Sequence, residues 1–577
     1  MDAVTLEILR NALQSVAEEM GVTLTRTALS PNIKDRRDCS TAVYTTEGQL
    51  VAQAEHIPLH LGLMPTVVKA VLARFPITTL NPGDAIVIND PYISGSHLPD
   101  ICLITPVFYR SRPVAVVANL AHHVDVGGSV PGSMSTEARE IFQEGMRIPP
   151  VKICRRGVIN REIMDIIASN VRTPDEFQGD MQAQISANTA GDRRIQELAG
   201  KYGSLKLMEY MTGIIEYSER RMRSGLAELP SGTYTFEDFL ETDGVQGKPI
   251  NIKVSLTMNG ESALVDFTGT HPQVEGPVNS TRGVTLACVY YALKAVVDPG
   301  IPSNEGLAIP IEVITPPGSL VNPAFPAAVA HANINTAQRI ADTMLGALAQ
   351  AAPERVTAAG TGSMSNFTVG GIDPSGGRYY SYVETYGGGQ GAKIDQDGMD
   401  GVHVNMTNTR NTPVEVIELS YPLLVNGYGL LPDTGGPGKF RGGVGLYRSI
   451  TVLRGKATVS VSTERSRLKP WGLAGGHPGA SSVLKIKHTN GDTEKPMYGK
   501  YTGILQEGDT VILETAGGGG FGDPLQREPE AVRTDVLEEL ISRQQAEEVY
   551  GVVLTGEELG IDHEATKKKR NSAQSVP

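Results

Sequence analysis

Cysteine is scarce in this chain: Cys39, Cys102, Cys154 and Cys288 are all that 577 residues contain. None lies in a CxxC pair, which excludes a zinc knuckle or a disulfide framework and leaves reduced, buried thiols as the expectation. Cys39, beside Arg36, Arg37 and Asp38, is the best placed of the four for nucleophilic work. Long apolar runs are missing too, and nothing approaches the ~20 residues of a membrane helix. The opening Met1-Asp2-Ala3-Val4-Thr5-Leu6-Glu7 has neither the basic nor the apolar region of a signal peptide. Basic charge is short: the net charge is -13, and lysine and arginine gather only at Lys567-Lys568-Lys569-Arg570. Nucleic acid would need a basic face, so it is excluded as a partner, and the expectation is a soluble cytoplasmic protein away from membranes.

Two catalytic signatures are absent as well. Gly435-Gly436-Pro437-Gly438-Lys439-Phe440 contains a Gly-Lys pair, but Phe440 stands where a P-loop needs Ser or Thr. Gly517-Gly518-Gly519-Gly520-Phe521-Gly522 carries no lysine. Both read as close backbone packing at positive φ. The nearest approach to a serine-hydrolase elbow, Gly127-Gly128-Ser129-Val130-Pro131, has proline in place of the final glycine.

Glycine (64) and proline (36), by contrast, are plentiful, so much of the chain is turns and shaped loops. Leu9, Leu13, Val16 and Met20 share one face of an opening helix that Gly21 ends or interrupts. Short strands follow: a hairpin over 40–52, a buried strand at 85–88, then 102–109 and 114–120 joined by Arg110-Ser111-Arg112-Pro113. Residues 158–227 read as helical, with Thr173-Pro174-Asp175-Glu176 as a capping box, and Pro230-Ser231-Gly232 breaks them. Strands alternate after 233, turning at Asn259-Gly260 and again at Asn490-Gly491, with helices inserted at 284–297 and 336–351. The architecture expected is α+β and multidomain, mixed sheets with packed helices and glycine-rich loops. Its parts are a metal-binding region with a helical segment (1–230), a sheet-rich region (231–525), and a C-terminal helical segment with a disordered tail (526–577).

Within the first region, two histidines are each followed three residues on by aspartate: His97-Leu98-Pro99-Asp100 and His122-His123-Val124-Asp125. Imidazole and carboxylate on loops at strand ends suit a divalent metal. The 110–113 hairpin sends one strand out and the next back, bringing His97, Asp100 and His122 to one edge. The alternative is histidines that hydrogen-bond or pack. His123 is the non-ligand of its pair, because neighbours on an extended segment face opposite ways. His56 and His60 are either contacts of ligand or substrate, or exposed loop histidines.

At these residues the chain resembles the hydantoinase B/oxoprolinase family. The resemblance runs through Arg26-Thr27-Ala28-Leu29-Ser30-Pro31, Asp38-Cys39-Ser40, Pro58-Leu59-His60-Leu61-Gly62, the two histidine loops, Glu144-Gly145-Met146-Arg147 and Thr407-Asn408-Thr409-Arg410-Asn411. It implies one divalent metal, manganese or zinc by member, with iron and cobalt compatible with the same donors. It places the ligands on Asp38, His97, Asp100 and His122, Asp38 on the strength of the resemblance alone. It also implies a larger partner ATPase subunit of the hydantoinase A type, which binds ATP-Mg and phosphorylates the substrate carbonyl; a heterotetramer is the assembly expected.

The function expected is therefore that of the metal-bearing subunit of an ATP-dependent cyclic amide hydrolase, opening a hydantoin, lactam or 5-oxoproline ring with metal-activated water. Asp125 would orient a ligand histidine, His123 or His60 would shuttle a proton, and Arg147 or Arg410 would hold the phosphate or a substrate carboxylate. The alternatives are a subunit of an ATP-dependent ketone carboxylase and a non-catalytic scaffold for the ATPase.

Overall fold

The computed structural model describes residues 2–54 and 56–574. Its first sheet has seven strands in the order β2-β1-β5-β4-β3-β6-β7, all neighbours antiparallel. These are β1 (Cys39–Tyr44), β2 (Leu50–Gln53), β3 (Ala85–Ile88), β4 (Asp100–Tyr109), β5 (Arg112–His122), β6 (Val151–Arg155) and β7 (Val158–Ile159). The β4–β5 hairpin turns at Arg110 and Ser111, both at positive φ, the backbone that a tight hairpin needs. Its register sets Asp100 opposite His122.

Successive residues of β5 face opposite cores. Val117 packs with Leu9, Leu13, Val16 and Met20 of the helix Ala3–Thr27. Val116, Ala118 and Leu120 join Leu63, Val67 and Val71 of the helix Pro58–Arg74. The opening helix runs through Gly21 and neither ends nor breaks there; the missing side chain makes room for His56, where a Cβ would lie 2.3 Å from the ring. The long helices Pro174–Tyr202 and Ser204–Ala227 follow. Thr173 caps the first without the side-chain hydrogen bond of a capping box.

A strand beginning at Gly232 opens a second, four-stranded sheet; a further four-stranded and a five-stranded sheet come later. The helices Arg282–Val297 and Ala337–Leu348 pack with the second sheet in the same core as the Pro58–Arg74 helix, so side chains from both sides of residue 230 share one interior. A π-helical turn, Ala332–Thr336, precedes the second of them. The glycine loops interlock backbone to backbone: a Cβ on Gly443 would lie 1.9 Å from the Met399 carbonyl oxygen, and one on Gly518 2.0 Å from that of Gln390. Neither has a positive φ, so space and not backbone conformation demands glycine there.

The C-terminal tail differs from expectation. His563–Gln574 is a helix, and Lys567 to Arg570 lie within it. Arg570 donates to the carbonyls of Tyr550 and Arg527, and Lys569 pairs with Glu547, which holds the helix down. Residues 575–577 of that tail lie outside the described residues. Among the described residues no helix is long and apolar enough to cross a membrane.

Candidate metal centre

Three elements meet at the open ends of β4 and β5. The first is the loop carrying His97. Asp90 caps a short helical turn, and Gly95 reverses the chain at φ +77. Gly95 also touches Gly283 at the start of the Arg282–Val297 helix, where a Cβ would lie 2.9 Å from the Gly283 Cα. Thr281 donates its hydroxyl to the Gly95 carbonyl and fixes this loop against the helix. The second is the hairpin, which supplies Asp100 and His122. The third is the start of the helix Pro58–Arg74, which brings His60.

His97 Nε2 lies 3.2 Å from Asp100 Oδ1 and 3.1 Å from His122 Nδ1; His122 Nδ1 lies 3.1 Å from Asp100 Oδ1. The three atoms form a nearly equilateral triangle, and all three residues are buried. A metal bonded at roughly 2.0–2.1 Å in tetrahedral geometry separates its ligand atoms by roughly 3.3 Å. The donor set, two imidazoles and one carboxylate, suits zinc, manganese, iron or cobalt. Without a cation, two ring nitrogens and a carboxylate oxygen would compete for too few protons in a dry site, which is the second reason that the residues fit a metal.

Neighbours select which atom of each ligand is offered. The Ala330 carbonyl lies 2.9 Å from His97 Nδ1 and accepts a hydrogen bond from its N–H, leaving the Nε2 lone pair for the triangle. Ser96 donates to Asp100 Oδ2, and Asn333 donates to the same oxygen at 3.0 Å, leaving Oδ1 free. Beneath Ala330, buried Glu144 accepts from the Val329 and Ala330 amides at 2.7 and 2.8 Å. Burial pushes the Glu144 carboxyl up to about 8. Burial opposes charge on His97, yet Asp100 beside it leaves the ring pKa raised. Asp100, although buried, is held well below the usual carboxylate range by His97 and His122.

Asp38 lines the same cavity, and its carbonyl accepts from the His122 amide. His60 is inside rather than on an exposed loop: Nδ1 lies 3.1 Å from Ser40 Oγ, and Nε2 lies 3.7 Å from Asp100 Oδ2. Burial lowers its pKa. The cavity has about 30 Å³ free, space for one or two waters. A roomier cleft of about 580 Å³ lies between the helices Pro58–Arg74 and Arg282–Val297, away from the triangle.

Four expected residues are placed elsewhere. His123 points to the other face of β5, with Nε2 3.0 Å from Gln184 Oε1 and its ring against Phe177. Asp125 orients no histidine; it accepts from the amides of Gly127, Gly132 and Arg172 and from the Arg172 guanidinium, and so ties its own loop to the turn before the helix Pro174–Tyr202. Arg147 lies over Phe325, 3.5 Å from Asp90. Arg410 is exposed, and only its amide reaches inward, to the Arg36 carbonyl. Cys39 is completely buried, and burial pushes its thiol pKa far up, which disfavours the thiolate that a nucleophile needs.

A buried triangle of two histidines and one aspartate in an α+β frame defines a metal-dependent enzyme subunit. The chain belongs to the hydantoinase B/oxoprolinase family, whose sequence profile matches residues 2–524. It is 42% identical over 578 residues to an uncharacterized protein of Methanocaldococcus jannaschii, covering 99% of this chain and 100% of that one. It is 35% identical to one of the subunits of a putative D-/L-hydantoinase from a Pseudomonas strain, over 99% of this chain and 98% of that one. Among solved structures, the ATP-dependent caprolactamase of Pseudomonas jessenii superposes with a TM-score of 0.92 at 32% identity, over 99% of this chain and all of the matched one.

Proposed function

We propose that this chain is the metal-bearing subunit of an ATP-dependent cyclic amide hydrolase. The observation that carries the reading is the triangle of His97 Nε2, Asp100 Oδ1 and His122 Nδ1, with edges of 3.1–3.2 Å. Asp38, on the cavity wall, completes the ligand set. Similarity to part of a putative hydantoinase and to a caprolactamase supports a ring amide, hydantoin or lactam, as substrate. ATP-Mg is held by a larger ATPase subunit, which phosphorylates the amide oxygen; the pair assembles as a heterotetramer in the cytoplasm.

A divalent metal held here supplies a Lewis acid and an acidified water. The chain's own residues do the rest. His60, kept neutral by burial, accepts a proton at Nε2 while Ser40 fixes its other nitrogen. Ile57, Leu59, Met134, Ile334 and Met364 line the cavity and exclude bulk water.

The test is turnover of hydantoin, N-methylhydantoin, 5-oxoproline, caprolactam, and acetone with bicarbonate by this chain purified together with its ATPase partner. ATP-dependent ring opening without bicarbonate is the expected result. Turnover confined to the ketone with bicarbonate would move the chain to the carboxylases, and no turnover with any of them would overturn the catalytic reading.

A further inference from the structure

Arg36 is completely buried, yet its guanidinium meets only neutral groups. It donates to Asn32 Oδ1, to the Val383 carbonyl at 3.0 Å and to Thr385 Oγ1 at 2.7 Å. Among the described residues no carboxylate forms an ion pair with it within 4 Å, and its Nε has no partner. A buried cation without a counter-charge is costly, so a fold that keeps one has a reason to. Arg36 lines the metal cavity with His60, His97, Asp100 and His122.

Two further residues that line the cavity carry donors without partners. Asn366 is buried with its Nδ2 unpaired. His122 Nε2 is buried and unpaired, and a metal on Nδ1 would leave the ring's proton on Nε2. Three residues that line one cavity thus carry unspent N–H donors, one of them cationic. That combination recognises an oxyanion, through charge-assisted hydrogen bonds that a planar guanidinium makes well.

We propose that Arg36, supported by Asn366 and His122, forms an oxyanion subsite beside the metal ligands. It takes one oxygen of a phosphate-type group or of a carboxylate. On the reading given above, on which the choice of sources rests, the anion is the phosphoryl group of the activated amide or the carboxylate that ring opening creates. Neither Arg147 nor Arg410 reaches this wall.

Binding of inorganic phosphate and of acetate to the purified chain alone, by isothermal titration with and without added metal, tests the subsite without ATP, partner or turnover. The wild type is expected to bind at least one of them, and Arg36→Met to weaken that binding by at least about tenfold. Arg36→Lys, which keeps the charge and the buried position but loses the fork, is expected to fall between the two and carries the test if the methionine variant does not fold. Preference for phosphate assigns the phosphoryl source, and preference for acetate the carboxylate source. Equal anion affinity in the wild type and both variants, or no binding of either anion by the wild type, overturns the proposal. Ring-opening assays that fail while phosphate binding persists would overturn the hydrolase reading and leave the subsite standing.

Discussion

His60 is the residue whose chemistry is most exposed to test. It sits against Ser40 and near Asp100 without belonging to the triangle, so its loss separates proton transfer from metal binding. His60→Gln is expected to lower coupled turnover by about 10²–10⁴ while metal content stays at the wild-type level, checked by steady-state kinetics beside elemental analysis. Unchanged turnover would remove His60 from the mechanism. Glu144 makes a different prediction. Its folded pKa, about 8, lies above the ordinary 4.5, so its contribution is present in full below pH 4.5 and is lost as pH rises through 8. At about 1.36 kcal/mol per unit the loss is on the order of 5 kcal/mol in metal-stripped protein. Glu144→Gln mimics the protonated group, and urea unfolding across this range is expected to show a flatter pH profile for the variant.

At the scale of elements, the crossing of two helices holds the His60 end of the cavity. A Cβ on Gly62 would lie 2.2 Å from the Cα of Ala287 on the neighbouring helix, and backbone cannot step aside. Gly62→Val is expected to destabilise the protein by about 1–3 kcal/mol or more and to reduce turnover as His60 shifts, read by thermal denaturation and kinetics. The hairpin that pairs Asp100 with His122 was legible in the sequence, because two apolar runs flank a polar turn and the pleat fixes which residues meet. The same alternation set His123 apart from His122. Arg36, Glu144, Asn333 and Ala330 were not legible. Asn333 reaches Asp100 across 233 positions and Arg36 reaches Val383 across 347, and nothing local marks either contact. Arg147 and Arg410 lie off the cavity wall for the converse reason: a charge inside a recognisable motif says nothing of which way the side chain turns.

For the whole molecule, a buried ionic cluster joins the sheets. Arg465 reaches Asp238 of the second sheet at 3.1 Å and Asp342 of the Ala337–Leu348 helix at 2.8 Å, and Lys500 reaches Glu464 at 2.6 Å. Arg465→Ala leaves buried Asp342 without its ion pair, while Asp238 keeps Arg339 at 3.1 Å, and is expected to cost about 3–5 kcal/mol, measured as a lowered denaturation midpoint. The helix Ala337–Leu348 continues from the π-helical turn that carries Asn333, so this cluster also anchors the segment that steadies Asp100.

The proposed function stands on one metal held by His97, Asp100 and His122. Elemental analysis of metal-loaded, gel-filtered wild type beside folded Asp100→Ala tests it most directly. About one divalent ion per wild-type chain and near-complete loss in the variant are expected; equal metal content in the two proteins would overturn the site.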